Sequence, residues 1–367
     1  MFKERMTDLQ KIIIKEIQEK GSISFRDFME IALYYPGLGY YVSLRKKIGA
    51  DGDYLTSPAI TPFFGKIISR QLTEMWELLG RKKFTIVEYG AGSGSLCYDI
   101  LENLQNNKRF YEMLSYIIID KNPELSDRLK IILPDKAERA ENGKHLSGIS
   151  GCILSNELLD NFPIHVVEMQ DSLMEVHIGY NNGFYEILKP SRPELINYLQ
   201  EQKIVLPRGF RTEVNLQIIE WLQEIAVILK EGFVMTMDYG YTSDEISSRG
   251  NKNGSVVCYY KHQVNYDPFI NIGEQDITAH VNFSALKLCG IKHNLYCSGY
   301  TTQSRFLRSL GAIQTLRKME SAEKPDMKNI QNLMTILFSL GEKIKLMVQQ
   351  KGMDKVSLTG MQFQLPV

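Results

Sequence analysis

The 367-residue chain carries no excess of charge of either sign: 43 lysines and arginines stand against 43 aspartates and glutamates. That balance leaves no bulk attraction to a polyanion, so nucleic acid is not an expected partner. No apolar run approaches the roughly 20 residues that a membrane-spanning helix needs, so no membrane partner is expected either. The five cysteines, at 97, 152, 258, 289 and 297, are odd in number and form no CxxC pair. This spacing speaks against a disulfide framework and a zinc site; it fits buried thiols in a reducing compartment. The N-terminal stretch lacks the long apolar region of a signal peptide, and Glu16 and Glu19 argue against a transit peptide. The expected location is cytoplasmic. Internal repeats and low-complexity segments are missing. The length suits one large domain with additions, or two domains.

What the chain does have is centred on residues 84–99. Phe84 to Val87 is a β-branched, apolar run that reads as a buried strand, and Leu96 to Leu104 has helical periodicity. Between them lie Glu88, Gly90, Gly92 and Gly94 at every second position. Glycines in a strand-to-helix turn let a ligand approach the backbone closely. A dinucleotide fingerprint would place its third glycine at Ser95, so that reading fits poorly. The acid followed by alternating glycines is the pattern of S-adenosylmethionine (SAM) methyltransferases, with Glu88 available to attract the cationic end of the cofactor. A glycine-rich turn without a ligand is the competing reading.

A second apolar strand, Tyr116 to Ile119, ends at Asp120, about 26 residues after Gly94. An acid at that spacing meets a ribose diol; capping of the Asn122-Pro123 turn is the alternative. A third strand runs from Gly151 into Ser155-Asn156-Glu157-Leu158-Leu159-Asp160. Ligands of open α/β sheets sit beyond the carboxyl ends of the strands, so Asn156, Glu157 and Asp160 are candidates to hold a cationic substrate group. Phe233 to Met237 is a further buried strand ending in Asp238.

The rest organises around these strands. Residues 5–20 form an amphipathic helix, and Ser24 caps a second one. Tyr34, Tyr35, Tyr40 and Tyr41 surround two glycines, as a packed loop or as a lid over a ligand. Thr56, Ser57 and Pro58 precede a helix over 63–79, which they cap or from which they reach a cofactor. A helix is expected over 122–132. Residues 164–188 alternate as an antiparallel β insertion with a turn at Asn181-Asn182-Gly183. Two helices follow within 191–230, the second starting at Arg211 with Glu213 and Asn215 as caps. Residues 241–255 read as a loop. Asp276 and His280, four apart, would share a helix face, and with no third ligand evident a metal is not expected. Strands are expected over 292–297 and 362–365, and helices over 283–290, 302–310 and 329–349. The 362–365 strand would complete a seven-stranded sheet.

Taken in order, Tyr35-Pro36-Gly37-Leu38-Gly39-Tyr40-Tyr41, Gly52-Asp53-Tyr54-Leu55-Thr56-Ser57-Pro58, Glu88-Tyr89-Gly90-Ala91-Gly92-Ser93-Gly94, Ser155-Asn156-Glu157-Leu158-Leu159-Asp160 and Asp276-Ile277-Thr278-Ala279-His280-Val281 resemble the MidA-like family. These blocks span about Ser24 to Leu310. The resemblance implies an α/β fold, a Rossmann-like seven-stranded SAM-dependent methyltransferase sheet with a helical N-terminal region and an α+β insertion. It implies SAM at Glu88, Gly90, Gly92, Gly94 and Asp120, with Thr56, Ser57 and Pro58 close by. It implies a substrate region near Asn156, Glu157 and Asp160. The family's mitochondrial members are protein arginine methyltransferases that assemble respiratory complex I, and the missing presequence suggests a bacterial relative. Where the family commonly has glutamate after Thr-Ser-Pro, this chain has Ala59; if that acid serves catalysis, specificity or activity would differ.

The expected divisions are 1–80, a helical region and lid; 81–162, the first part of the SAM-binding core; 163–230, the insertion; and 231–367, the second part of the core. The expected function is SAM-dependent methylation of an arginine in a protein substrate, with a respiratory-complex subunit as one candidate. Glu157 would hold the guanidinium and Asp160 or His280 would take the proton, with Asn156 and Asp276 completing the site. The alternatives are a small-molecule methyltransferase of the same fold and a non-catalytic assembly factor. A homodimer is compatible with the sequence.

Overall fold

The computed structural model describes residues 6–43, 52–53, 55–121, 136–248 and 252–367. Seven strands form the central sheet: β1 (Phe84–Tyr89), β2 (Leu114–Ile119), β3 (Ala137–Ala140), β4 (Ile149–Asn156), β5 (Leu229–Tyr241), β6 (Tyr296–Thr302) and β7 (Ile344–Lys351). They lie in the order β6-β7-β5-β4-β1-β2-β3, with the short strand Val281–Asn282 also pairing β5. β1 to β5 pair in parallel; β7 runs antiparallel to both β5 and β6.

Burial on both faces explains the continuous apolar strands. Ile86, Ile118, Leu154 and Met235 point to one layer, which contains Phe64, Ile68 and Leu72 of the helix Phe63–Leu78 and Ile100 of the helix Ser95–Leu104. Their neighbours Val87, Ile117, Ile153 and Val234 point to the other, against Trp221 and Ile225 of the helix Gln217–Ile228 and Leu286 of the helix Phe283–Lys292. Chain reversal occurs at β1 and β4, which are neighbours: successive connections leave for opposite sides of the sheet there, the place where open α/β sheets take a ligand in a crevice beyond the strand tips.

A second sheet of five strands combines Ile23–Ser24 with His165–Met169, Leu173–Tyr180, Phe184–Pro190 and Arg211–Val214. The N-terminal helices Asp8–Lys20 and Phe25–Tyr34 cover it through Ile13, Phe28 and Met29, packed with Val176 and Ile178. The first helix begins at a Thr7–Gln10 capping box and the second at Ser24. The 181–183 turn is formed as expected, with Asn182 at φ 54°.

Several expected elements differ. Residues 329–349 are not one helix: Met327–Phe338 and Leu340–Lys343 are helical, then β7 begins. The alternation of Leu346, Met347 and Val348 onto opposite faces suits a sheet interior, and long-range pairing overrides the local helical pattern. The sheet is therefore completed by β7, not by residues 362–365; that tail has one ladder-like bond, Leu365 N to Tyr300 O. β6 starts at Tyr296, four residues later than expected, because the preceding helix continues to Lys292 and Asn294 turns the chain at φ 60°. Arg211–Val214 is a strand rather than a helix start, Ser243–Ser248 is a helix within the expected loop, and Ala312–Glu320 is an additional helix. The helix expected over 122–132 lies outside the described residues. All five cysteines are free thiols. Among the described residues no helix is long and apolar enough to cross a membrane, and no group of acidic, histidine and cysteine side chains could hold a metal.

Candidate functional site

Beyond the tips of β1 and β2 the backbone does most of the shaping. Gly90, Gly92 and Gly94 have φ of 71°, 57° and 76°, a region that favours glycine. A β-carbon on Gly90 would lie 2.7 Å from the Leu158 Cδ1 atom. The Gly90 amide donates to the Ile119 carbonyl at 2.9 Å, and the Gly92 amide donates to Asp120 Oδ2 at 3.0 Å. The turn is thus tied to the end of β2, and the carboxylate expected to meet a ribose stands beside the glycines. Glu88 lies deeper than the sequence suggested. It is 2% exposed and accepts the Tyr116 hydroxyl at 2.7 Å. Burial pushes its carboxyl up to about 7. Direct contact with a cofactor's cationic end does not suit that position; support of the turn from within the core does.

Thr56, Ser57 and Pro58 belong to the short helix Ser57–Ile60, and Thr56 makes no side-chain cap. The Ser57 amide instead donates to Glu157 Oε1 at 3.4 Å, while the Ser57 hydroxyl pairs with Gln303. The block joins the end of β4 to the segment after β6.

The tips of β4 and β5 carry a different arrangement. Four carboxylates converge there: Glu157, Asp160, Asp238 and Asp276. Asp238 is fully buried; its Oδ2 accepts the Leu158 and Leu159 amides at 3.1 and 2.8 Å, and its Oδ1 accepts the Tyr239 amide at 2.9 Å. These bonds hold the loop after β4 in shape. Glu157 occupies a left-handed conformation, φ 50°, uncommon for a side chain of this size and costly unless the surroundings enforce it. Its Oε1 accepts the Asn156 side-chain amide at 3.2 Å. Asp276 accepts the Tyr41 hydroxyl at 2.8 Å. Asp160 is 7% exposed, and among the described residues its Oδ1 has no hydrogen-bond partner.

Among the described residues no ion pair reaches any of the four acids. Burial pushes Asp276 to about 7, and burial with Asp238 beside it pushes Glu157 to about 8. Asp238 itself is raised by burial to about 7 against the pull of its backbone donors. Burial, then the charges of Asp238, Asp276 and Glu157, raise Asp160 well above the ordinary carboxylate range. Uncompensated buried carboxylates are costly. The cluster would be relieved by one cation able to donate to several acceptors at once, as a planar guanidinium does.

Tyrosines wall this cluster. Tyr34 and Tyr41 stack at 5.5 Å; the Tyr34 hydroxyl donates to Asn161 Oδ1 at 2.7 Å. Tyr40 is buried and donates to Asp53. The tyrosine-rich segment is therefore packed onto the site through its hydroxyls. Asp276 and His280 do not share a helix: Asp276 lies in the strand Asp276–Thr278, and the His280 ring stands against Tyr239 and Tyr241. The Ala279 amide between them donates to the Asp160 carbonyl. Asn215 does cap its helix, donating as well to Leu159 O, whereas Glu213 accepts the Ser255 amide and hydroxyl instead of capping.

The structure brings Asn156, Glu157, Asp160 and Asp276 together and adds residues that sequence reasoning left aside. Asp238 had a usable signal, an acid ending a buried strand, the same rule that singled out Asp120. Tyr41 lay in the tyrosine segment read as a packed loop or a lid, but its partner Asp276 could not be read, and Gln303 had no signal, since both partners are more than 200 residues away. The glycine turn and the acid loop touch where Leu158 covers Gly90. Three glycines at positive φ, with a carboxylate at the neighbouring strand tip, fit an adenosyl cofactor placed across the turn.

A family described as "Putative S-adenosyl-L-methionine-dependent methyltransferase" matches residues 67–301. The mitochondrial protein arginine methyltransferase NDUFAF7 homolog of Drosophila melanogaster is 23% identical, covering 96% of this chain and 88% of its own length. NDUFAF7 of Danio rerio, also a mitochondrial protein arginine methyltransferase by name, is 25% identical over 88% of this chain and 82% of its own. A Burkholderia thailandensis protein of known crystal structure, bound to S-adenosyl-homocysteine, superposes with a TM-score of 0.88 at 28% identity, covering 97% of this chain and 95% of that one.

Proposed function

This chain belongs to that family and is a SAM-dependent methyltransferase, and from this premise we propose that it methylates an arginine side chain of a protein substrate. The observation that carries the substrate assignment is the Asp160 Oδ1 atom, buried, and among the described residues without a hydrogen-bond partner, in a group of four acids that no described cation pairs with. The names of the relatives support the same reading.

Gly90, Gly92 and Gly94 would hold SAM along their backbone, Asp120 would take its ribose hydroxyls, and Thr56, Ser57 and Pro58 would border it; bound there, SAM supplies an electrophilic methyl group. Glu88 supports the turn from below through Tyr116. Glu157 already accepts from Ser57 and Asn156, so its carboxylate is fixed in direction and orients the guanidinium. Asp160 Oδ1 has lone pairs to spare; it receives the proton that leaves the guanidinium nitrogen after methylation. Asp238 positions both acids through the backbone of residues 158–159. Asp276, steadied by Tyr41, completes the negative wall, and His280 contributes its ring to the adjoining aromatic wall.

We further propose a cytoplasmic location, supported by the free thiols, and a respiratory-complex subunit as the first substrate class to test. Purified protein with radiolabelled SAM and a cell extract, followed by hydrolysis, gives labelled methylarginine under this reading. Label confined to small molecules, or to another amino acid, would overturn it.

A further inference from the structure

Beside the acid cluster, behind the aromatic wall of Tyr241 and His280, lies a cavity of 330 Å³ between the insertion and the core. Among the described residues it is walled by Tyr198, Tyr241, Tyr259 and Tyr266, with Val264 and Glu213. Its outer wall is one face of a small sheet, formed by Val257–Tyr260, Gln263–Asn265 and Asp276–Thr278. Tyr259 and Val264 are opposite each other across the antiparallel pair, so their side chains share a face. At the mouth, Val264 is 54% and Tyr266 79% exposed, an unusual position for a large aromatic unless something covers it.

Two observations say what the cavity would take. Its charge is unbalanced. Arg211, the guanidinium on the wall, is already shared between Glu168 and Glu186, at 2.6 Å to each. Glu213 accepts from Ser255, yet burial pushes its carboxyl above the ordinary range and no cation pairs with it among the described residues, so an incoming cation would relieve it. Tyrosine faces with a carboxylate make a receptor for a positively charged side chain. The second observation is continuity. Tyr259, Asn215 and His280 all line the cavity; Asn215 donates to Leu159 O, and the Ala279 amide beside His280 donates to Asp160 O, so the cavity adjoins the acid loop. The cavity and the acid cluster are therefore neighbours, and an extended chain advances about 3.3 Å per residue between them.

We propose that this cavity is a specificity subsite, receiving a lysine or arginine one or two residues from the arginine that enters the acid cluster. This deepens the reading of the chain as a protein arginine methyltransferase and rests on it. A substrate segment would lie extended across Tyr259, with the target side chain on one side and the flanking cation on the other. The protein would then select basic stretches and pass over isolated arginines.

The test uses short peptides with a single target arginine on a glycine–alanine background, carrying lysine, leucine or glutamate one or two residues to either side. Binding to the protein loaded with S-adenosyl-homocysteine is measured by calorimetry, and methyl transfer by steady-state kinetics. The lysine peptide should bind roughly fivefold tighter than the leucine peptide at the preferred position. Tyr266→Ala, exposed and without a packing role, and Glu213→Gln, which keeps an oxygen for Ser255, should each erase that preference through KM while kcat stays unchanged. Equal binding of the lysine, leucine and glutamate peptides overturns the subsite, as does a lysine preference that survives both variants. A lysine preference in calorimetry without any methyl transfer to arginine would support the subsite and overturn the arginine reading, so the two fail separately.

Discussion

The two ends of the crevice are built by opposite means. At the β1–β2 end, backbone dihedrals make the shape, and the chemistry sits in a contiguous run of seven residues plus one acid. At the β4–β5 end, side chains make the shape, drawn from five separate segments: Tyr41, Ser57, residues 156–160, Asp238 and Asp276. The first end tolerates its ligand's absence at little cost, since its polar groups bond to one another, as Gly92 does with Asp120. The second holds acids pushed to about 7 and 8 without a cation, so it is the end where ligand binding and protein stability are coupled. A cofactor site can be preformed from backbone; a site for a cation stores unfavourable charge until its ligand arrives.

Breaking the backbone end should give the largest effect. Gly92→Val forces a β-branched residue to φ 57°, and calorimetry should find SAM binding lost beyond about a hundredfold while an arginine peptide still binds. Retained SAM affinity would remove the glycine turn from the cofactor site. Breaking the side-chain end should do the reverse. Asp160→Asn keeps the shape and removes the proton acceptor, so kcat should fall about a hundredfold with SAM affinity unchanged.

Acidity separates the two ends further. Carboxyls raised in the folded state favour the protonated form, so their contribution to stability is complete below their unfolded values, near 4. It is lost as pH rises through about 7 to 8. The melting temperature of the ligand-free protein should therefore fall across that window, and an arginine peptide should offset the fall. Over the same window kcat/KM should rise by roughly tenfold as the acids ionise and grip the guanidinium. Glu88→Gln should blunt the stability change and leave the rate profile in place, because Glu88 serves only the backbone end; a shifted rate profile would merge the two ends. The smallest effect is expected at Tyr41→Phe, which removes one hydroxyl from Asp276: about 1 kcal/mol, read as a KM for peptide roughly fivefold higher.

The sequence by itself determined the strands that run apolar for their whole length, the glycine turn between Glu88 and Ser95, and the acids at their tips, because each rests on neighbours in the chain. It did not determine β7. Leu346, Met347 and Val348 satisfy a helix as readily as a strand, and only antiparallel pairing with β5 and β6 decides between them. It placed Asp276 and His280 on one helix because a spacing of four is local information, whereas the strand that Asp276 begins exists through pairing with Val257–Tyr260. Tyr41 reaches Asp276 and Ser57 reaches Gln303 only once the N-terminal segments fold against the core. Short-range sterics and periodicity are written in consecutive residues. The placing of buried acids beside one another is decided by which distant surfaces must cover each other, and that exists only in the folded chain.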